Sequence, residues 1–71
     1  MEYIIVVVYN KDKEHTGHLY KTENSWGVSW NDCQNQQRAP EKFTTKEKAS
    51  VAGDNFIDGD TSCSYIVVEV N

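Results

Sequence analysis

The sequence predicts an α+β domain: a four-stranded mixed sheet in the chain order β-β-β-α-β, with one helix packed on one face. Three observations predict it. Two short runs of β-branched residues, Tyr3–Tyr9 and Tyr65–Val70, stand near the two ends of the chain. Between them Trp26–Trp30 alternates large and small side chains. One helix start, at Thr44, precedes the second run. The 71 residues suit a single domain spanning 1–71.

Tyr3–Tyr9 (Tyr-Ile-Ile-Val-Val-Val-Tyr) is the strongest element. Its β-branched side chains fit a pleated sheet and crowd a helix. Without polar alternation it reads as a central strand covered on both faces. Asn10–Glu14 is a charged turn, and Thr16–Thr22 is a second strand carrying Leu19 and Tyr20. Glu23-Asn24-Ser25 is a turn. In Trp26–Trp30 the period of two puts Trp26, Val28 and Trp30 on one face and Gly27 and Ser29 on the other. Small residues on that second face mean it is solvated or closely approached. Asn31–Pro40 is a polar surface loop, and Pro40 disfavours helix at Ala39.

Thr44 and Glu47 have the spacing of a capping box, so a helix is expected from Thr45 to Asn55. Ala49, Ala52, Gly53 and Phe56 share one face of it, and small side chains let a helix lie close on a sheet. Asp58-Gly59-Asp60 ends it. In the last strand Ile66, Val68 and Val70 face one way, and Tyr65, Val67 and Glu69 the other. A meander followed by a right-handed helical crossover would bring this strand in parallel to the first, giving the order 3-2-1-4.

Charge narrows the partners. Residues 1–48 carry seven acids and seven bases, and the rest of the chain only Asp54, Asp58, Asp60 and Glu69, so the whole net charge of −4 falls in the last third. Phosphate backbones require clustered Lys and Arg, so direct nucleic-acid binding is not expected. No run reaches the ~20 apolar residues of a membrane span. The first residues lack the basic start and small-residue cleavage site of a signal peptide, and the expected location is the cytoplasm.

No catalytic constellation stands out. Cys33 and Cys63 are expected as free thiols in that compartment, a bridge requiring Cα atoms within about 7 Å. Acidic surroundings do not activate Cys63. His15 and His18 with the two cysteines suggest zinc, but there is no compact ligand pair among the cysteines. Neither a metal nor an organic cofactor is expected, and a domain this small has little room for a deep pocket.

The stretch Ala39-Pro-Glu-Lys-Phe-Thr-Thr-Lys-Glu-Lys-Ala49, after a Trp-bearing strand and before a short final strand, resembles a pattern in small bacteriophage and mobile-element accessory proteins. The resemblance covers the second half of the chain. It implies a stoichiometric inhibitor of a host defence or nucleic-acid-processing protein, of the anti-CRISPR or anti-restriction type, in the host cytoplasm. It implies no site residues. From the residues themselves, the expected function is non-catalytic protein binding. An acidic surface of Asp54, Asp58 and Asp60, with Trp26 and Trp30 as aromatic anchors, would meet a host protein with a basic surface. A nucleotide-binding oligomer with Trp26, Trp30 or Tyr20 stacking a base is the alternative, and a small zinc domain the third.

Overall fold

A computed structural model describes residues 1–32 and 38–70. Five elements follow in the expected order: strands β1 (Glu2–Tyr9), β2 (Asp12–Lys21) and β3 (Trp26–Trp30), helix α1 (Lys46–Phe56) and strand β4 (Cys63–Val70). The sheet order is β3-β2-β1-β4. Every pairing is antiparallel, β4 against β1 included, so the expected mixed sheet is corrected to a purely antiparallel one. β2 begins earlier than expected, because only Asn10 and Lys11 turn between it and β1. A register irregularity between Val8 and Tyr9 absorbs the extra β2 residues.

The direction of β4 has a physical cause in the stretch before the helix. Arg38 lies on the sheet face that bears His18, Tyr20 and Ser29: its amide donates to Ser29 Oγ (3.1 Å), its carbonyl meets His18 Nε2, and its guanidinium lies over the Tyr20 ring (5.6 Å). Three residues on, Glu41 N donates to Leu19 O of β2 (3.0 Å), and Phe43 exchanges both backbone hydrogen bonds with Tyr3 of β1 (2.8 and 2.9 Å). The strip Glu41–Phe43 thus fills a split between the lower ends of β1 and β2, running antiparallel to β1. Phe43 then stacks against Trp26 on the opposite face (6.1 Å, 12°). The chain crosses the sheet through this split and returns to the end where β1 begins. The helix therefore climbs back, and β4 must descend.

The helix is capped by Thr45 and starts at Lys46, one residue later than the capping box suggests. Thr45 Oγ1 accepts the Lys48 amide (3.1 Å), leaving Glu47 an acid in the first turn rather than a reciprocal cap. Its apolar face is the expected one, with Ala49 and Gly53 buried. A Cβ on Gly53 would lie 2.5 Å from the Tyr65 ring, so only glycine allows the helix this close to β4.

The core lies between helix and sheet. Ile5, Val7, Leu19 and Ala49 are fully buried, with Tyr3, Trp26, Val28, Trp30, Phe56, Tyr65 and Val67 packed around them. β1 is central, but the expectation that both its faces are covered is corrected. Ile4, Val6 and Val8 point away from the helix, as do Ile66, Val68 and Val70 of β4. They are only half-buried, and Ile66 is 55% exposed. The small residues of β3 are closely approached, as one of the two readings held: Ser29 is buried, and the Tyr20 ring packs on Gly27. Among the described residues no helix is long and apolar enough to cross a membrane.

Candidate functional site: an acidic pole

Because β4 runs antiparallel to β1, its first residue lies beside the last residue of β1: Tyr9 is opposite Cys63, and also opposite Asp12 of β2. The β1–β2 turn and the loop from helix to β4 therefore share one end of the sheet. Asn10 holds them together. Its amide donates to Ser62 O (2.8 Å), its side-chain Nδ2 donates to Thr61 O (2.9 Å), and its Oδ1 accepts from Ser64 Oγ (2.6 Å) and Lys13 Nζ (3.4 Å). β3 ends at the same level, where Asn31 N donates to Thr16 O (2.9 Å).

This arrangement gathers Asp12, Glu14, Asp32, Asp54, Asp58 and Asp60 at one pole, against Lys11 and Lys13 only. The rest of the molecule balances its acids and bases, so the pole carries the net charge of −4. Three of the six acids come from the part of the chain that is neutral in sequence.

The acids differ in how far they are engaged. Asp54 Oδ1 accepts the Tyr65 hydroxyl (2.6 Å), which also lies 3.0 Å from Ser50 O. That bond to Asp54, then burial and the carboxylate's charge, raise the Tyr65 pKa above the usual phenol value. Asp60 Oδ1 accepts the hydroxyl (2.6 Å) and amide (2.8 Å) of Ser62, and these donors lower its pKa below the ordinary carboxyl value. Asp12 Oδ1 accepts the Glu14 amide (3.1 Å). The Asp58 and Glu14 carboxylates are exposed and bond to no described residue. Gly59, between Asp58 and Asp60, has φ 75°, the left-handed turn that lets the chain leave the helix for β4.

The tryptophans lie on the helix side of β3, both half-buried against the core. Trp26 stacks on Phe43 and is covered by Lys21 Nζ (5.3 Å to the ring centroid). Trp30 stacks on His15 (4.3 Å, 16°), whose edge meets Tyr9 (5.9 Å). Trp30 thus stands at the pole and Trp26 at the other end of the strand. Trp30 lies at the same end of the sheet as the three aspartates, on the opposite edge strand, and Trp26 lies at the other end.

His15 Nδ1 lies 3.3 Å from Asp32 Oδ2. His18 lies on the opposite face, against Arg38, so the two histidines cannot converge on one ion or one substrate atom. Among the described residues no three His, Cys, Asp or Glu side chains form a metal-sized group. Cys63 is a half-buried free thiol, and Cys33 lies outside the described residues.

Sequence reasoning missed Asp12, Glu14 and Asp32, and the His15–Asp32 pair. Only the antiparallel course of β4 places them beside Asp58 and Asp60, and no spacing along the chain signals it. No family model, no curated protein and no solved structure matches this chain.

Proposed function

We propose that this chain is a non-catalytic protein-binding module that presents its acidic pole to a basic surface on a partner protein. The observation that supports this is the concentration of the entire net charge at one end of a compact domain, on segments that Asn10 ties together. Charge gathered on one face steers a complementary partner into register and raises the association rate. The pole is built from loops and turns on a rigid sheet, the usual position for a recognition surface. A nucleic-acid-processing protein of a host cell, with its basic cleft, has the required chemistry, and it is the target class the bacteriophage resemblance implies.

Asp54 and Asp60 hold local structure, so reversing them confuses binding with folding. Glu14 and Asp58 are the clean probes. The double substitution Glu14→Lys/Asp58→Lys brings the pole to neutrality while leaving every described hydrogen bond in place. The immobilised chain should capture a basic protein from a host lysate. The double variant should bind that protein with an association rate lower by about tenfold or more at low salt, and the wild-type rate should fall as salt rises. An association rate that neither the substitutions nor salt alters would refute the reading.

A further inference from the structure

We propose that the outer edge of β4 pairs with the same edge of a second copy, forming a two-fold dimer with one continuous eight-stranded sheet. The edge is open and regular. Tyr3 exchanges both its backbone bonds with Phe43, so the odd residues of β1 bond away from β4 and the even ones toward it. Through the register Val6↔Ile66, the even residues of β4 bond to β1, and Cys63, Tyr65, Val67 and Glu69 direct their N–H and C=O groups outward. The eight-residue strand has no lysine, proline or bulge, and Glu69 is the single charge on it to discourage pairing of the edge.

The edge is also complementary to itself. Antiparallel pairing centred on Ile66 sets Tyr65 opposite Val67 and Cys63 opposite Glu69 of the second copy, and those four outward residues supply every bond. Glu69, the only charge on the strand, never meets its own image. Ile66, the most exposed aliphatic residue of the sheet, meets its counterpart on the axis, with Ser64 opposite Val68 beside it.

The helix carries the same symmetry. Gly53 packs on the Tyr65 ring, and Ser50 lies about 4.5 Å earlier along the helix. That distance is between one and two strand residues, which brings Ser50 level with Ile66. Ser50 and Asp54 are held on the β4 side by the Tyr65 hydroxyl, and Lys46 continues their stripe at the same spacing. A helix seated between β1 and β4 lies about one strand spacing from the axis, so two helices stand about 10 Å apart. That is the distance of packed helices. Lys46 of each copy then faces Asp54 of the other, with the small Ser50 on the axis. The seam is about 25 Å long and about 15 Å deep, and the pair loses about 1,000 Å² of accessible surface, enough for a specific interface.

Sedimentation equilibrium of the intact chain between about 5 and 500 μM tests this. The average mass should rise from 8.1 kDa toward twice that value. Ile66→Lys places two ammonium groups on the axis and should hold the chain monomeric at every concentration, with an unchanged far-UV spectrum. Lys46→Glu, on the exposed helix surface, should raise the dissociation constant about tenfold. A constant mass of 8.1 kDa overturns the proposal. So does a dimer insensitive to Lys46→Glu, whether or not Ile66→Lys folds, and so does a monomer whose Tyr65 and Val67 amides become protected only when an extended peptide of another protein is added. Ile66→Lys and Lys46→Glu leave every acid of the pole in place, so this proposal and the acidic-pole reading fail separately.

Discussion

Replacing a glycine inside a helix by alanine ordinarily stabilises it by about 0.8–1 kcal/mol, because glycine loses more backbone freedom on folding. At Gly53 the structure reverses the sign. The new Cβ would stand 2.5 Å from Tyr65 Cε2 and 2.7 Å from two further ring atoms, well inside contact distance. The ring cannot swing aside freely, because its hydroxyl is bound to Ser50 O and Asp54 Oδ1. Either the helix lifts from β4 or the ring moves and gives up those bonds. Overpacking costs about 1–3 kcal/mol, and a lost hydrogen bond adds about 1 kcal/mol. Against the propensity gain, Gly53→Ala should be destabilising by about 1–3 kcal/mol, lowering Tm by roughly 4–24 °C in a domain of this size. Thermal and urea unfolding followed by far-UV circular dichroism measure it. A double-mutant cycle isolates the cause: in a Tyr65→Ala background the obstruction is gone, and Gly53→Ala should become stabilising by up to about 1 kcal/mol. If Gly53→Ala raises Tm in the wild-type chain, the close seating of the helix on Tyr65 is refuted.

Two further tests bear on the same helix. Thr45→Ala removes the acceptor of the Lys48 amide and should cost about 1 kcal/mol in urea unfolding, whereas Thr44→Ala should cost much less. Tyr65 is stabilised as the protonated phenol, with its folded pKa raised from 10.0. Its contribution is therefore complete below pH 10.0 and lost as pH rises through the higher folded value. Wild-type Tm should fall more steeply above pH 10 than that of Tyr65→Phe, which should be less stable by about 1 kcal/mol at pH 7.

Much of the architecture was legible because its causes are local. β-Branched runs, the alternation of Trp26–Trp30 and the small-residue face of the helix each report a contact that a nearby stretch of chain makes. The order β3-β2-β1-β4 follows from pairing the two most apolar strands. What was not legible is the course of the polar stretch between Trp30 and the helix. Nothing in the composition of Ala39–Thr45 shows that it threads the sheet, yet that passage sets the direction of β4. The direction in turn decides which loops are neighbours, so four acids near the chain's end read as a modest cluster while the folded pole holds six. The cap failed at finer scale: Thr44 and Thr45 are adjacent equivalents, and the backbone of Phe43, held by Tyr3, selects the second. The aliphatic outer face of β1 and β4 misled differently, since β-branched residues record strand preference as well as burial.

The strip between β1 and β2 bears on how the molecule folds. The β1–β2 hairpin can zip from its turn down to Val6 and His18 using contacts between near neighbours. Below that point Tyr3 finds its partner not in β2 but at Phe43, forty residues away along the chain. The hairpin's fraying ends must stay apart until a distant segment arrives between them, and closing that long loop is the slow, entropically costly part of the route to the native state.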